Sequence, residues 1–456
     1  MTSSTKHAGV NPKAAVPVLL FVFVFSLVID NGFKTMTMPI AEGLGIADDT
    51  ASLQASLAGV IIGIGAVVYA ALADSISIRK LMLSGVALIA VGSLIGFLGS
   101  ASWPLVLTGR LIQTTGLAAA ETLYVIYVTK HLSEADQKTY LGFSTAAFQA
   151  GLLIGALTSG FISTYISWTA MFLIPLILLL TVPAIIKMVP EDEAVEGHLD
   201  AMGLFLVAVF ATSLILYIQE FTIWWLLSAI VGVVLFVIHV KKAKRPVVQP
   251  EFFTNGRYVW TLAMVFLVYS TQLGYIFMMP YIAKDVHGMS LDKASLILIP
   301  GYVCAILVGI FSGKIGHVLT SRQTIYAGVG MICGALIIET IFVNSSVVIL
   351  VIATIAFASG FALMYAPLVN TALSRISAAK SGIAIGFYNL TINIAIPLGI
   401  AYSALTQKSS DGYTFPLAVL AIVAVTGAAI YIISDLVMAR KEAAAAAAGL
   451  EPEIIS

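Results

Sequence analysis

Apolar runs long enough to cross a lipid bilayer recur along the whole chain. A spanning α-helix needs about 20 mostly apolar residues. Hydrophobic residues make up 60% of the chain and charged residues only 10%, which is more apolar surface than a water-soluble core can hide. The sequence therefore predicts an all-α membrane protein with fourteen transmembrane helices. The predicted spans cover 16–40, 51–73, 81–100, 104–129, 140–164, 168–188, 201–220, 223–240, 258–282, 293–316, 324–343, 346–373, 381–405 and 414–438.

Two polar linkers divide these spans into groups of six, two and six. The acidic stretch "VPEDEAVEGHLD" follows the sixth span, and the basic stretch "KKAKRPVVQPEFFTNGR" follows the eighth. Internal symmetry of this kind is typical of secondary transporters. We expect two six-helix bundles with an inserted transmembrane hairpin. The expected segments are an N-terminal tail at 1–15, a bundle at 16–188, linkers and hairpin at 189–257, a bundle at 258–438 and a C-terminal tail at 439–456.

The basic residues between the spans predict the orientation in the membrane. Lysine and arginine are enriched on the cytoplasmic side of membrane proteins. With the N-terminus inside, one set of loops holds most of these residues, including the cluster at 241–245, whereas the other set holds only Lys284, Lys293 and Lys408. An even number of spans returns the chain to its starting side. Both tails are therefore expected in the cytoplasm of a multi-pass cell-membrane protein.

Five charged residues lie well inside the predicted spans, and they are Asp30, Lys34, Arg110, Glu121 and Glu339. A charge at the middle of a bilayer costs roughly 2.5–3.5 kcal/mol even on the most lenient scale. Such residues are expected to face the interior of a bundle or a water-filled cavity, with partners of opposite charge. Glu339 falls near the end of its span, where it could reach water, and we expect it to be structural or peripheral.

Depth and helical angle place four of these charges together. At 1.5 Å per residue, Asp30 lies near the middle of the membrane and Lys34 lies about 6 Å closer to the outer surface. Arg110 lies at about the same depth as Lys34. Arg110 and Glu121 are three helical turns apart and point the same way, with Gln113 and Tyr124 within about 60° of that direction. The fourth span thus carries one polar stripe.

Two interpretations of these charges remain open. Buried ion pairs can serve only to hold helices together. Alternatively, a carboxylate held between positive charges beside a wet cavity can bind and release a proton as its partners move. On the second interpretation Asp30, Arg110 and Glu121 couple transport to protons, and Glu121 also suits a cationic substrate.

Uncharged polar side chains in several spans are candidates for substrate binding. Interhelical hydrogen bonding is the alternative for each of them. Together with the stripe of the fourth span, the candidates are Asn31, Lys34, Gln113, Glu121, Tyr124, Gln149, Gln272, Tyr275, Tyr365, Asn389 and Asn393.

Several classes of function have no support in the sequence. The formal net charge is zero, so nothing suggests a nucleic-acid partner. Cys304 and Cys333 both lie in apolar runs, where free buried thiols are expected. We find no spacing typical of metal ligands, no nucleophile elbow and no phosphate-binding loop. A membrane enzyme or a substrate-sensing receptor remains a minor alternative, and we expect no metal and no cofactor beyond a proton gradient.

The loop after the second span reads "YAALADSISIRKLML". At Asp74, Arg79 and Lys80, with Ala70 and Ser77 in place of glycines, it matches the pattern Gly-x-Leu-Ala-Asp followed by Gly-Arg-Lys. The loop thus resembles the signature loop of major facilitator superfamily transporters. The resemblance implies that these residues latch a cytoplasmic gate. A carboxylate at a helix N-terminus is also favoured physically.

Two spans resemble motifs of the fourteen-helix drug/proton antiporters of that superfamily. "GRLIQTTGLAA" matches the fourth-span motif at Arg110, Gln113 and Gly116, and "IDNGFKTMTMP" matches the first-span motif at Asp30 and Pro39. The resemblance implies a role for the arginine in proton transfer. "GHLDAMG", which contains a further candidate gating residue, Asp200, and "MPYIAKDVHGMS" are similar to segments of Gram-positive tetracycline/proton antiporters. A Gram-positive bacterial source is therefore expected.

The chain departs from those families at two places. The fifth-span motif of antiporters ends Gly-Pro-x-x-Gly-Gly, whereas "AGLLIGALTSG" has Ala156 at the proline position and Ser159 at the first of the paired glycines. The small residues still allow close approach of a neighbouring helix. Tetracycline exporters carry a glutamate where this chain has Asn31, which argues against tetracycline as the substrate.

The resemblance implies a monomeric, proton-coupled exporter of amphipathic small molecules that works by alternating access. The aromatic and methionine residues of the spans suit an adaptable apolar pocket. A transporter of the same fold with different coupling is the alternative. It would be a symporter, a uniporter or a flippase, with an anionic or zwitterionic metabolite or lipid as substrate.

Overall fold

α-Helices joined by short turns make up the described chain. The computed structural model describes residues 12–191, 200–244, 246, 250–289, 295–376 and 378–447. Most of both expected tails and parts of both linkers lie outside these ranges.

The helices follow one another in the order that the apolar runs predict. The first half contains α1 (Pro12–Lys34), α2 (Thr37–Leu44), α3 (Asp48–Ser75), α4 (Ile78–Leu98), α5 (Trp103–His131), α6 (Glu134–Tyr165) and α7 (Val182–Met188). The hairpin contains α8 (Ala201–Glu220) and α9 (Ile223–Lys242). The second half contains α10 (Gly256–Asp285), α11 (Leu298–Ile310), α12 (Ser312–Val318), α13 (Ser321–Phe342), α14 (Val347–Leu373), α15 (Ala378–Lys408) and α16 (Thr414–Ala447).

The number of membrane crossings agrees with the prediction. Within the described ranges, 13 helical segments are long and apolar enough to span a membrane, and α11 is a shorter apolar helix. Together they are consistent with about fourteen transmembrane helices. The prediction of an all-α membrane fold with six spans, a hairpin and six further spans is confirmed.

Polar residues at the ends of the apolar runs determine where several helices begin. The side chains of Ser77, Ser133, Asp200 and Asn255 accept hydrogen bonds from backbone N–H groups in the first turns of α4, α6, α8 and α10. Thr320 and Gln323 cap α13 reciprocally. These caps satisfy N–H groups that have no partner inside the helix.

Three predicted spans are not single continuous α-helices. The first helix ends at Lys34 and a second one starts at Thr37, so the predicted span 16–40 is broken. The sixth span consists of 3₁₀ turns over Trp168–Phe172 and Ile174–Thr181 followed by α7. Pro175 lies at the start of the second of these turns and Pro183 at the start of α7. Neither can donate the backbone N–H that the interior of one continuous α-helix would use, so both are tolerated where a new element begins. The predicted span 293–316 is likewise divided, because α11 ends at Ile310 and α12 starts at Ser312.

Each half of the molecule has its own hydrophobic core. One cluster of buried residues draws on α1 to α7, and a second draws mainly on α10 to α16 with Leu152 of α6. The halves meet where α3 packs on α15 and where α6 packs on α11. The seam between the two halves is therefore lined by four helices.

The inserted hairpin packs on helices from both halves. A third cluster joins Val207 and Ala211 of α8 to Val60 of α3 and Leu390 of α15. Only 11% of the most apolar part of α9 is buried within the protein, so most of its surface faces outward. The hairpin thus covers the α3–α15 contact from the outside, with α8 inward.

Glycines allow α1 and α6 to approach closely. A Cβ atom added at Gly155 would lie 2.7 Å from the carbonyl oxygen of Val28, and one added at Gly151 would lie 2.6 Å from the Cβ of Leu27. The expectation that small residues of the fifth span bring helices together is confirmed at these two positions. Gly160 differs, because an added Cβ would meet nothing within 4 Å.

Gly155→Ala is expected to lower the stability of the protein by about 1–3 kcal/mol, because the new methyl group would meet backbone atoms of α1. Gly160→Ala is the matched control, and it is expected to be neutral or to stabilise by up to about 1 kcal/mol. Thermal denaturation of the purified protein in detergent measures both effects. Equal melting temperatures for the two variants would show that α1 and α6 have room to separate.

Candidate functional site

A cavity lies between the two halves at the middle of the molecule. Its wall is formed by α1, α3, α5 and α6 from the first half and by α10, α14 and α15 from the second. Its empty volume is about 1080 Å³, counting the open space at its mouth. Helices of both halves contribute to the wall, so any relative movement of the halves reshapes the cavity.

Asp30 lies in the cavity wall and is held by two positive charges. Arg110 donates from Nη2 to Asp30 Oδ1 at 2.7 Å, and Lys34 pairs with Asp30 Oδ2. Asp30 is 2% exposed and Arg110 is fully buried. The prediction that Lys34 and Arg110 are the partners of Asp30 is confirmed. The pair to Arg110 joins α1 to α5, whereas the pair to Lys34 is one helical turn along α1.

Further contacts hold the Arg110 guanidinium in place. Its Nη1 donates to Gln113 Oε1 at 2.9 Å, and Gln113 Nε2 donates in turn to Ser93 Oγ of α4 at 3.0 Å. The guanidinium carbon lies 4.5 Å from the centre of the Phe33 ring, a cation–π distance. The planar guanidinium thus contacts Asp30, Gln113 and Phe33 at the same time, and the compact ammonium group of a lysine cannot make all three contacts.

Side chains from α3 and α6 form hydrogen bonds with the end of α1, where the helix breaks after Lys34. Gln54 of α3, which is fully buried, donates from Nε2 to the carbonyl oxygen of Phe33 at 2.7 Å. Thr35 forms a 2.5 Å hydroxyl contact with Ser159 of α6. Side chains of neighbouring helices therefore satisfy backbone and hydroxyl groups at the end of α1, where the helical hydrogen bonds stop.

Glu121 of α5 lies on the same cavity wall as Asp30 and Lys34. Its carboxylate is close enough to Asp30, Lys34 and Arg110 for their charges to interact. Among the described residues, its Oε1 atom has no hydrogen-bond partner. The depth and angle argument placed Glu121 on the same side of α5 as Arg110, and the cavity wall agrees with that placement.

Most of the predicted substrate-binding residues line this one cavity. The amide groups of Asn31 and Asn393 donate to backbone carbonyls of their own helices. Within the described chain, Gln149 Oε1 and Gln272 Oε1 are buried without a hydrogen-bond partner. The predicted residues on the wall are Asn31, Lys34, Glu121, Gln149, Gln272, Tyr365, Asn389 and Asn393.

Three predicted substrate-binding residues lie elsewhere. Gln113 is committed to Arg110 and Ser93, as described above. Tyr124 is buried, and its hydroxyl donates to the backbone carbonyl of Tyr140 at 2.9 Å. Tyr275 lines a smaller cavity of about 260 Å³ beside the central one. The polar stripe of α5 is thus divided, because Glu121 faces the central cavity whereas Gln113 and Tyr124 pack against neighbouring helices.

Glu339 differs from its expected position. It is 0% exposed, so it does not reach water and is not peripheral, and of the two expected roles only the structural one fits its position. Its Oε1 atom accepts a hydrogen bond from the hydroxyl of Tyr275 at 2.7 Å. Distance from the end of a span predicted exposure, but α13 is covered there by α10 and α14.

The predicted gating residues lie at helix ends outside the cavity. Arg79 donates to the carbonyl oxygen of Val189 at 2.6 Å, and Lys80 pairs with Glu191 at 2.8 Å. The hydrogen bond from Lys80 lowers the pKa of the Glu191 carboxyl. These contacts tie the start of α4 to the end of the sixth span. The side chain of Asp74 lies outside the described part of the structure.

Asp200 holds the hairpin together at one end. It accepts a hydrogen bond from the backbone N–H of Gly203 at 2.9 Å and contacts His239 Nε2 of α9 at 2.8 Å. The side chain therefore caps α8 and connects it to α9. A role of Asp200 in gating remains a prediction.

Sequence reasoning missed several residues around the site. Thr122 and Ser144 line the cavity, and Gln54 and Ser93 support it from behind. Gln54 is a lone amide in an apolar run, which is a signal that could have been used. Ser93 carries no such signal, because serines occur in many spans and only the packing of α4 on α5 brings it to Gln113.

The fold and the charged central cavity are those of a secondary membrane transporter. The sequence profile described as Major Facilitator Superfamily matches residues 19–400, and the chain belongs to that family. It is a secondary transporter rather than an enzyme, and it acts on a small-molecule substrate within the membrane.

Known proteins resemble the chain over most of its length. It is 24% identical to the quinolone resistance protein NorB of Staphylococcus aureus strain COL over 452 residues, which is 94% of this chain and 96% of NorB. The NorB of strain Newman is 24% identical over 425 residues, covering 89% and 91% of the two chains. The crystal structure of the human organic anion transporter MFSD10 (TETRAN) superimposes with a TM-score of 0.64 at 13% identity, covering 92% of this chain and 99% of that one. The last comparison shows the fold alone.

Arg110→Ala is expected to destabilise the protein by about 3–5 kcal/mol, because it leaves a buried carboxylate with one partner fewer. Arg110→Lys keeps the charge and is expected to cost less. Combining Arg110→Ala with Asp30→Asn should cost less than the sum of the two single changes, since they remove the same pair. Thermal denaturation in detergent of the wild type, Arg110→Ala, Asp30→Asn and the double variant measures the coupling. Additive losses would show that the two side chains contribute independently.

Proposed function

We propose that the protein exports amphipathic small molecules in exchange for protons, by alternating access. One observation carries the proposal. A carboxylate, Asp30, lies in the wall of the central cavity between two positive charges, with a second carboxylate, Glu121, facing the same space. Carboxyl groups at the wall of a wet membrane cavity are the usual carriers of protons.

The charges of the cluster explain how protons and substrate could compete. Asp30, Lys34, Arg110 and Glu121 sum to zero when all four are ionised, and protonation of either carboxyl leaves a net charge of +1. A cationic substrate therefore binds more favourably to the ionised cluster, which is neutral overall, than to the protonated cluster, which is positive and repels it. Binding one therefore favours release of the other, which is the requirement for exchange.

The rest of the wall suits a molecule with apolar bulk and hydrogen-bond donors. Phe23, Phe148 and Phe361 contribute aromatic surface. Glu121, Gln149 and Gln272 also line the wall, and their side chains can accept hydrogen bonds from protonated amines or amide N–H groups. The similarity to NorB, named for quinolone resistance, supports export of drug-like molecules.

We further propose the arrangement in the membrane. The basic loops place both tails in the cytoplasm, and the protein acts as a monomer in a bacterial cell membrane. The functional units are bundles at 16–188 and 258–438, joined by linkers and the hairpin at 189–257. On this topology Arg79 and Lys80 lie on the cytoplasmic side, where their contacts to Val189 and Glu191 would brace the first bundle as the gate moves.

One observation favours a second candidate function. Lys34 lies on the cavity wall with its side chain 12% exposed, and its ammonium can meet an anionic group on a substrate. A symporter, uniporter or flippase for an anionic or zwitterionic metabolite or lipid would use this contact. Uptake of ethidium into inverted membrane vesicles driven by a proton gradient distinguishes the candidates, since only the exporter of amphipathic cations predicts it.

Asp30→Asn is expected to abolish proton-driven transport while leaving the protein folded. The amide keeps the size and a hydrogen-bond acceptor for Arg110 but cannot bind and release a proton. Uptake of ethidium into inverted vesicles under an imposed pH gradient measures the effect, and thermal denaturation checks the fold.

Asp285→Asn is the matched control for this variant. Asp285 lies at the end of α10, where it accepts a hydrogen bond from Tyr413, and it does not belong to the described cavity wall. It should retain uptake. Full proton-driven uptake by the folded Asp30→Asn variant would reject the coupling role.

Glu121→Gln is expected to weaken binding of cationic substrates more than that of neutral ones. Losing a charge-assisted contact costs about 1.5–3 kcal/mol, or roughly 10- to 100-fold in affinity. Competition between ethidium and chloramphenicol, which carries no charge, measures the difference, with the exposed Glu42→Gln as control. An equal effect on both compounds would place the cation elsewhere.

A further inference from the structure

The second half contains a fully buried carboxyl group that the proposed exchange does not use. Glu339 of α13 is 0% exposed. Its Oε1 atom accepts a 2.7 Å hydrogen bond from the Tyr275 hydroxyl of α10, and that hydroxyl lies 3.1 Å from Thr354 Oγ1 of α14. Three helices of the second bundle therefore meet at one carboxyl group.

The surroundings of Glu339 favour a neutral acid in this arrangement. The polar groups that face the pair are the hydroxyls of Thr354 and Tyr302, and His287 contacts the backbone carbonyl of Val343, one turn further along α13. Among the described residues no lysine or arginine forms an ion pair with Glu339, and its Oε2 atom has no hydrogen-bond partner. A carboxylate buried with one hydrogen bond and no counter-charge is costly.

Tyr275 connects this carboxyl to the seam between the halves. It lines the smaller cavity together with Gln149 and Gln272, and those two residues also line the central cavity. Gln149 belongs to α6 of the first half, whereas Tyr275 and Gln272 belong to the second. Separation of the halves would therefore open the smaller cavity and bring water to the Tyr275 hydroxyl.

We propose that Glu339 is a second proton-binding site, located in the second bundle and loaded and emptied through Tyr275. While the seam is closed, Glu339 holds its proton as a neutral acid. When the seam opens, the carboxyl group of Glu339 turns so that its O–H donates to the Tyr275 oxygen. The Tyr275 hydroxyl then gives its own proton to incoming water, forming hydronium, as it takes the proton of Glu339, and a carboxylate that water can solvate is left. The reverse transfer reloads the site. This inference rests on the proposed proton exchange and sets its stoichiometry at two protons for each substrate.

The ratio of protons to substrate tests the proposal directly. In proteoliposomes containing the full chain, with K⁺ and valinomycin holding the membrane potential at zero, one pH unit should support an ethidium gradient of about 100-fold for two protons and about 10-fold for one. The wild-type protein is expected to reach the larger gradient and Glu339→Gln the smaller one. A wild-type gradient near 10-fold, or an unchanged gradient in the folded Glu339→Gln variant, overturns the inference.

Tyr275→Phe supplies a second test that does not depend on the folding of Glu339→Gln. Phenylalanine keeps the ring stacked 3.9 Å from Phe357 and removes only the hydroxyl. It should slow proton-driven ethidium transport about tenfold or more, relative to Tyr258→Phe. Tyr258 is a buried tyrosine of the same helix whose hydroxyl donates to the backbone carbonyl of Ala384. Equal rates for the two variants would overturn the route through Tyr275.

The outcomes separate this inference from the proposed function. A wild-type protein that builds no ethidium gradient under a pH difference overturns both the proton exchange and the second site. If Asp30→Asn abolishes the gradient and Glu339→Gln leaves it unchanged, the proposed proton exchange stands and only the second proton-binding site is overturned.

Discussion

A carboxylate among apolar helices is stable only while opposite charges and hydrogen bonds compensate for its lost water, and Asp30 satisfies this condition through Lys34 and Arg110. The requirement extends outward from the pair. Arg110 is oriented by Gln113, and Gln113 is anchored by Ser93 on a third helix. The glycine contacts that bring α6 against α1 position the same region from the other side. The packing of four helices in the first half is thus tied to one charged cluster.

The charged cluster lies at the seam between the two halves. The central cavity takes its wall from both halves, and the hairpin covers the seam on one side through α8. Movement of one half against the other therefore changes the water around Asp30 and Glu121 while each half keeps its own core. This separation of rigid cores from a shared cavity is what alternating access requires.

Sequence reasoning predicted the spans and the partners of Asp30 because both follow from the rise per residue along individual helices. Apolar length determines the number of crossings, and a rise of 1.5 Å per residue placed Arg110 at the depth of Lys34. The predicted bounds of the sixth span, 168–188, agree with the structure, although the first part of that span forms 3₁₀ turns. Reasoning from position along the helix failed at Glu339, where neighbouring helices exclude water. It also assigned Gln113 and Tyr124 to the cavity, although their side chains contact adjacent helices.

The sequence by itself determined that this chain spans a membrane as helices in groups of six, two and six, with charges buried at matching depths. Hydrocarbon allows only helices and closed barrels, because both satisfy every backbone group, and apolar runs of about 20 residues select helices. Only the tertiary structure decided which polar residues share the cavity, where the hairpin packs, and that Glu339 meets Tyr275. Those outcomes depend on how each helix is rotated about its axis against its neighbours, and that rotation is determined by side-chain packing between distant segments rather than by any local pattern.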